Sequence, residues 1–345
     1  MWVRLARIIR VMSARGQVTR HAGPPAAILC VCALLAFGSW HPSAEGQNTA
    51  SPAREVAITI DDLPTASVLG NDLTRASRIT DDLLATLKRH RVPAIGFVNE
   101  GKLVTDGSLD ERRVALLERW LAAGFELGNH TFSHIDFHRT TVSAYEEDVL
   151  RGERVTKRLL RAAGRNIRYF RHPFLHTGRT AVARAAFERF LGSHGYRVAP
   201  VTVDNYDYLF AAAYDRADVH HQDTIVSAYI TYMEAVVSYY ERQSVALLGR
   251  EIRQTLLLHA SALNAAAFDR LFAMLDRRGY RFVTLDRALE DPGYKQRDEY
   301  YGPAGITWLH RWALTEGKRG AFFAGEPPVP EWIENASKDA SEKGS

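Results

Sequence analysis

The stretch "EVAITIDDLP", residues 55–64, joins a short apolar run directly to two acidic residues and a proline. Its apolar residues alternate and then crowd together, a pattern typical of a buried strand. Asp61 and Asp62 come where this strand ends, and two adjacent acids at a buried strand end are costly unless something positive binds one of them. The stretch therefore predicts a buried strand with a polar site at its carboxyl end.

Helical and strand-like patterns alternate after this stretch. Helical periodicity is found from Leu73 to Pro93, within Leu103–Phe125, from about Val142 to Ala163 and around Ala181–Leu191. The strand-like runs between and after them are "AIGFVN" (94–99), "FELGNH" (125–130), "IRYFR" (167–171), "YRVAPVTVD" (196–204) and "QTLLLH" (254–259). This alternation predicts an α/β fold with a parallel sheet, open or closed into a barrel, whose functional side chains gather at the carboxyl ends of the strands.

Titratable residues follow five of the apolar runs: Asp61 and Asp62, His130 and His134, Arg171, Asp204 and Asp207, and His259. Two histidines four apart on a helical turn can share one ion, and a carboxylate from elsewhere can complete the ligand set. The spacing alone is weak evidence, because His134 and His138 are also four apart, as are His172 and His176. The joint pattern at five strand ends is more specific, since scattered surface charge would not respect those positions.

The first 45 residues differ from the rest. Residues 1–24 carry five arginines and no acid, and the apolar run "PPAAILCVCALLAFGSW" follows at 24–40. We interpret 1–45 as a signal peptide or an N-terminal membrane anchor, with Met12 as an alternative start, and 46–54 as a linker. Both cysteines, Cys30 and Cys32, lie in this run, so a cleaved chain would have no disulfide. Removing five arginines from the net charge of +4 leaves about −1, which argues against nucleic-acid binding.

Five motifs in order, "TIDD", "HTFSH", "RHPF", "DNYDY" and "LLLH", resemble those of the polysaccharide deacetylase family, which has the NodB homology domain and is also called carbohydrate esterase family 4. The resemblance runs from about Glu55 to Leu289, so we expect a catalytic domain over 55–291. It implies a distorted (β/α) barrel. An aromatic-rich C-terminal extension would follow at 292–333 and a disordered tail at 334–345.

The resemblance also implies the site. Asp62, His130 and His134 would hold a divalent metal, usually zinc, with cobalt or manganese as alternatives. Asp61 would be the base that activates the attacking water, and His259 the acid that protonates the leaving amine. Arg171 would pair with Asp61 and keep it charged. Asp207 would orient His259, with Asp204 a less certain second member. The backbone N–H of Phe174 would donate to the oxyanion.

This sequence departs from the family pattern in ways that concern the substrate. Ile60, Phe174 and Tyr208 stand where the family usually has an aromatic residue, a tyrosine and a tryptophan. We expect these differences to alter the walls that bind the sugar, and so the identity of the substrate, more than the type of reaction. Residues 209–254 predict an extra helical insert between motifs four and five. Its tyrosines could line a sugar groove or simply pack on the barrel, and His220 and His221 at its start are expected to be solvated.

We therefore expect a periplasmic or secreted hydrolase that removes N-acetyl groups from a cell-wall or exported polysaccharide, so that its partner is an N-acetylated glycan. Contact with a membrane would come only through an uncleaved leader, and the oligomeric state stays open. The alternatives are a deformylase or amidase of the same fold that acts on a lipid-linked sugar or small amide, a non-catalytic carbohydrate-binding relative, and a non-haem iron oxygenase. Asp61 and His259 argue against the last two, because neither needs an acid–base pair.

Overall fold

The computed structural model of the chain describes residues 54–70 and 72–338. The predicted signal or anchor, all but the last residue of the predicted linker, and residues 339–345 lie outside the described residues. The boundaries that we expect at 45 and 54 therefore stay predictions.

A parallel sheet forms the centre of the fold, with strand order β7-β6-β5-β2-β1-β8, and β9 pairs with the start of β1. A two-residue antiparallel pair, β3 with β4, lies outside this sheet. The strands are β1 (Arg54–Leu63), β2 (Ile95–Val98), β3 (Val104–Thr105), β4 (Ser108–Leu109), β5 (Glu126–Asn129), β6 (Tyr169–Phe170), β7 (Arg197–Val198), β8 (Gln254–His259) and β9 (Tyr280–Phe282).

The two edges of this sheet meet through the segment that follows β7. Val203 forms a parallel bridge with Leu256 of β8. Its N–H donates to the carbonyl of Thr255 at 3.0 Å, and its carbonyl accepts from the N–H of Leu257 at 3.1 Å. The sheet is thus closed through an irregular strand, which confirms the predicted distorted (β/α) barrel.

Helices surround the barrel. They are α1 (Leu73–Arg89), α2 (Glu111–Ala122), α3 (Val142–Arg151), α4 (Arg154–Ala162), α5 (Ala181–Ser193), α6 (Asp207–Arg216), α7 (Val219–Leu248), α8 (Ala262–Arg277), α9 (Leu285–Leu289), α10 (Trp308–Thr315) and α11 (Glu331–Ala336). Side-chain caps start several of them: Asp72, Thr141 and Ser261, for example, accept hydrogen bonds from backbone N–H groups of the first turn. Within the part of the chain that is described, none of the helices is long and apolar enough to cross a membrane.

The single helix expected from Val142 to Ala163 is instead two helices, α3 and α4, which break at Gly152. A Cβ on Gly152 would overlap the backbone of Thr131 and Phe132. The amphipathic period continues across the break, which is why the sequence pattern alone does not show it. The break lets the loop after β5 pack closely against the helix end.

The expected insert after motif four consists of α6 and α7. The stripe of α7 that contains Tyr229, Met233 and Val236 is buried, and the hydroxyl of Tyr229 donates to Oδ1 of Asn264 in α8 at 3.0 Å. The insert is therefore part of the barrel's helical layer. The sequence predicts a disordered tail from residue 334, but the last helix, α11, continues to Ala336, so the start of that tail is helical.

Candidate active site

Two carboxylates with different surroundings lie at the carboxyl end of β1. Asp61 is opposite His259 in the register of β1 with β8, and only 2% of its surface is exposed. The register of β1 with β2 shifts between Ile60 and Leu63, and Asp62 has a φ of 71°. Such a bulge redirects side chains that a regular strand would send to opposite faces.

Asp62, His130 and His134 form a cluster suited to one metal ion. Oδ1 of Asp62 lies 3.6 Å from Nε2 of His134 and 3.8 Å from Nε2 of His130. One ligand atom from each residue lies within 4.8 Å of the other two. A tetrahedral ion with bonds of about 2.1 Å would set neighbouring ligand atoms about 3.4 Å apart, which is close to the two distances from Asp62.

The chemistry of these donors also fits a cation. Oδ1 of Asp62 is buried and has no hydrogen-bond partner among the described residues. Nδ1 of His130 lies 2.8 Å from the carbonyl oxygen of Arg171, which can only accept, so Nδ1 carries the proton and Nε2 offers its lone pair. This is the arrangement in which a backbone carbonyl fixes the tautomer of a ligand histidine.

Burial and neighbouring charge set the protonation of the cluster. Burial lowers the pKa of both His130 and His134 to about 4, although Asp62 acts in the opposite direction. Burial by itself would raise the pKa of Asp62, but the positive charge of Lys102 is the largest of the effects that lower it. At pH 7 the cluster therefore offers two neutral imidazoles and one carboxylate, which are the forms that bind metals.

The spacing of His130 and His134 suggests a helical turn, but the pair does not lie on one. Residues 130–134 form an irregular loop, in which Thr131 has a φ of 64° and His134 a φ of 55°. Oδ1 of Asn129 accepts from the N–H of Thr131 at 2.7 Å, and Oδ2 of Asp148 accepts from the N–H of Ser133 at 2.9 Å. These side chains accept hydrogen bonds from backbone N–H groups that carbonyl groups would accept in regular secondary structure.

Arg171 is fully buried beside Asp61. Its Nη1 lies 3.9 Å from Oδ2 of Asp61, its Nη2 donates to Oγ1 of Thr59 at 2.8 Å, and its guanidinium lies over the ring of Phe97. Burial raises the pKa of Asp61, and the charge of Arg171 opposes that rise. The expected pairing is thus a close approach of charges and not a direct hydrogen bond.

His259 has the firmest carboxylate contact in the site. Its Nδ1 lies 2.7 Å from Oδ1 of Asp207, and its backbone N–H donates to Oδ2 at 2.8 Å. Nδ2 of Asn264 donates to the same Oδ2 at 2.8 Å. Burial alone would lower the pKa of His259, but Asp207 raises it to about 10. The imidazole therefore carries a proton at neutral pH.

Asp204 and Phe174 lie at the margin of this group. Oδ1 of Asp204 accepts from the N–H of Asn205 at 2.8 Å, and burial raises its pKa to about 7. None of the hydrogen bonds that the structure gives for its described side chain reaches His259. Phe174 has a φ of 57°, and its ring packs edge-on against His134 with centroids 4.5 Å apart. Its backbone thus lies in a loop directly beside a metal-cluster histidine.

Two residues that support the site were not predicted from the sequence. Nζ of Lys102 lies 3.4 Å from Oδ2 of Asp62 and donates to the carbonyl oxygen of Asp62 at 3.1 Å. Lys102 follows the end of β2, so the rule that polar residues gather after strands could have found it. Asn264 lies inside α8, where its sequence position gives no such signal. By contrast, His220 and His221 are exposed at the start of α7, outside the cluster, as expected.

Comparisons with known proteins show what parts of the chain are similar to. The family described as polysaccharide deacetylase matches residues 48–190. A chitooligosaccharide deacetylase of Bradyrhizobium sp. (strain ANU 289) is 31% identical over 107 residues, which are 31% of this chain and 41% of that protein. A peptidoglycan-N-acetylglucosamine deacetylase of Bacillus cereus (strain ATCC 14579) is 24% identical over 233 residues, which are 67% of this chain and 66% of that protein.

The chain thus spans less than two thirds of the length of either relative. Among solved structures, the polysaccharide deacetylase Bc1974 from Bacillus cereus has a TM-score of 0.48 and 18% identity, over 74% of this chain and 98% of that chain. The polysaccharide deacetylase family thus matches residues 48–190 of the chain, a range that contains the first three of the five sequence motifs.

Proposed function

We propose that the chain is a metal-dependent hydrolase that removes N-acetyl groups from a cell-wall or exported polysaccharide. One observation carries the proposal: a buried carboxylate, Asp61, and a protonated imidazole, His259, face each other across β1 and β8 beside a His₂Asp cluster. An acid and a base at the carboxyl ends of two neighbouring strands suit hydrolysis, whereas an oxygenase needs neither.

In this mechanism Asp62, His130 and His134 would hold the ion, and zinc is the first candidate with cobalt or manganese as alternatives. When bound, the ion polarises the acetyl carbonyl and lowers the pKa of water. Asp61 accepts a proton from the attacking water as its oxygen bonds to the carbonyl carbon. His259 gives its proton to the amide nitrogen as the C–N bond breaks, so the products are acetate and an amine.

The other residues prepare these steps. Asp207 keeps His259 protonated and orients its ring, and Asn264 holds Asp207 in place. Arg171 opposes the tendency of burial to protonate Asp61. The backbone N–H of Phe174 is the proposed donor to the carbonyl oxygen, a contact that does not depend on the side chain. Tyr208, whose ring lies edge-on to His259 with centroids 6.4 Å apart, would form part of the sugar-binding wall.

Two relatives support an amino-sugar substrate, one being a chitooligosaccharide deacetylase and the other a peptidoglycan-N-acetylglucosamine deacetylase. The arginine-rich, apolar start of the sequence supports a periplasmic or secreted location, or attachment to the inner membrane through an uncleaved leader. The amino-sugar substrate and this location are both parts of the proposal.

The test is acetate release from N-acetylated chitooligosaccharides and from peptidoglycan, with zinc-loaded protein from Glu45 onward. We expect Asp61→Asn to lower the rate constant at least about 100-fold, since a general base contributes that much or more. Asp81→Asn is the matched control, because Asp81 lies in the similar sequence "TDD" but pairs with Arg119 on the surface.

Equal rates for the wild type and Asp61→Asn would refute the role of Asp61. A protein that binds zinc but releases no acetate from either glycan would refute the substrate. Formate release from a formylated amino sugar would then favour the deformylase alternative.

A further inference from the structure

A lysine lies directly beside one of the proposed metal ligands. Nζ of Lys102 is 3.1 Å from the carbonyl oxygen of Asp62, 3.2 Å from the carbonyl oxygen of Thr65 and 3.4 Å from Oδ2 of Asp62. A cation in this place weakens the binding of a divalent ion. We propose that Lys102 is a positioning residue, which restricts Asp62 to one ligand oxygen and so keeps a coordination position of the ion open. This inference rests on the proposed function.

The two oxygens of Asp62 have different neighbours. Oδ1 lies 3.6 Å from Nε2 of His134 and 3.8 Å from Nε2 of His130, and it has no hydrogen-bond partner among the described residues. Oδ2 is the oxygen that faces Lys102. A carboxylate can bind a metal ion through one oxygen or through both. With Oδ2 beside the ammonium group, Asp62 offers Oδ1 alone to the ion.

The backbone around Lys102 is anchored on both sides. Lys102 lies in a 3₁₀ turn that follows β2. The N–H of Gly101 donates to the carbonyl oxygen of Phe132 at 2.9 Å, in the loop between the two proposed histidine ligands, and a Cβ on Gly101 would lie 2.6 Å from that oxygen. The carboxylate of Glu100 accepts from the N–H of Thr156 in α4 at 2.6 Å. The turn therefore places the ammonium group in a fixed position relative to the cluster.

The number of ligand atoms decides whether the ion can take part in hydrolysis. Three single-atom ligands leave positions for the attacking water and the acetyl oxygen, whereas a second oxygen from Asp62 would occupy one of them. A neutral residue at 102 would let Oδ2 turn to the ion and would remove the repulsion between two cations. Both effects strengthen metal binding, but the loss of an open position slows hydrolysis.

A purely structural role of Lys102 predicts the opposite effect on the metal. Its hydrogen bonds to the carbonyl groups of Asp62 and Thr65 hold the segment after β1. If these bonds were its whole contribution, a substitution would loosen Asp62 and weaken metal binding. The direction in which the affinity changes therefore separates the two roles.

Zinc affinity of the full chain, measured by competition with a chromogenic chelator, is the first test. We expect Lys102→Met to bind Zn²⁺ at least about 10-fold more tightly than the wild type. Lys102→Gln should bind it more tightly too, because it lacks the charge but keeps an N–H donor for the two carbonyl groups. Lys102→Arg keeps the charge and should bind as the wild type does. Lys88→Met, the same change at an exposed position of α1, is the matched control.

Cobalt in place of zinc reports the number of ligands. We expect Co²⁺ in the wild type to give the intense visible absorption of a four-coordinate ion, and in Lys102→Met the weaker bands of a higher coordination number. The same variant should lose at least about 10-fold in kcat for acetate release, because a ligand oxygen fills a position that the reaction uses.

Weaker or unchanged zinc binding in both neutral variants, or a cobalt spectrum identical to that of the wild type, would overturn the proposal and leave Lys102 a structural role. Both readouts are taken without substrate. Tighter zinc binding by Lys102→Met in a protein whose wild type releases no acetate would therefore refute the proposed function and leave the role of Lys102 intact. A wild type that binds neither Zn²⁺ nor Co²⁺ would refute both.

Discussion

Asp61 and Asp62 are neighbours in sequence but have opposite electrostatic surroundings. Burial raises the pKa of Asp61, with Arg171 as its main opposing charge, whereas the positive charge of Lys102 is the largest effect that lowers the pKa of Asp62. The shift in strand register between Ile60 and Leu63 separates the two carboxylates. A single pair of acidic residues can in this way supply both a ligand and a base.

The pairing of His259 with Asp207 predicts a pH dependence of stability. The pKa of His259 is about 10 in the folded chain and near 6.5 in the unfolded chain, so its protonation stabilises the fold. This contribution is fully present below pH 6.5 and is lost as the pH rises through 10. Asp207→Asn should lower the free energy of unfolding by about 3 kcal/mol at pH 6, and by less at pH 10.

Urea unfolding of the wild type and Asp207→Asn at pH 6, 8 and 10 measures this difference. Asp81→Asn is the control, because Asp81 lies on the surface, where it pairs with Arg119. A wild-type-to-Asp207→Asn difference that stays constant across the three pH values would contradict the assigned pKa of His259.

At the scale of elements, the C-terminal extension holds the loop that carries Phe174. Nη2 of Arg311 and Nη2 of Arg184 both donate to Oγ1 of Thr177, at 2.6 and 2.8 Å. A Cβ on Gly305 would overlap the carbonyl oxygen of Phe174. The extension is thus packed directly against the third motif.

Gly305→Ala should therefore displace the backbone at Phe174. We expect kcat for the proposed deacetylation to fall about 10- to 100-fold with little change in zinc content, because the proposed oxyanion contact would be misplaced while the proposed metal ligands remain. Gly192→Ala is the matched control, since a Cβ there meets no atom within 4 Å. A wild-type kcat in Gly305→Ala would show that the loop tolerates the shift or that Phe174 makes no such contact.

The helical insert supports a stability prediction at the same scale. Met233 of α7 is fully buried, so Met233→Ala should lower the free energy of unfolding by about 3 kcal/mol through lost apolar contact and a cavity. Thr231→Ala, at an exposed position of the same helix, should change it by less than about 0.5 kcal/mol. Equal effects in urea unfolding would mean that the insert does not pack as described.

The period of apolar residues predicted α7 well, because a long helix against a barrel keeps one buried stripe. It could not predict the break at Gly152 or the loop at 130–134, since both depend on contacts with distant backbone. Thr131 and His134 have positive φ, and the side chains of Asn129 and Asp148 accept hydrogen bonds from the N–H groups of Thr131 and Ser133 in the same loop. The residue types of the candidate site were readable from strand ends, and the same rule could have found Lys102, whereas Asn264 emerged only from the three-dimensional arrangement.

At the scale of the whole molecule, residues beyond the expected catalytic domain contact the segment that closes the barrel. The N–H of Trp308 donates to the carbonyl oxygen of Val201 at 2.7 Å, beside the irregular strand that joins β7 to β8. Leu309 and Trp312 are each 1% exposed, and Ile333 of α11 is fully buried. The boundary expected at 291 therefore falls inside a continuous core.

A chain that ends at residue 291 should consequently lose its fixed tertiary packing, because the removed segment supplies several fully buried side chains worth about 1.5–3 kcal/mol each. A chain that ends at 338 retains them all and is the matched control. We expect near-ultraviolet circular dichroism and a cooperative thermal transition in the control, and neither in the shorter chain. A cooperative transition and full zinc binding in the chain that ends at 291 would instead show that the barrel closes without its extension.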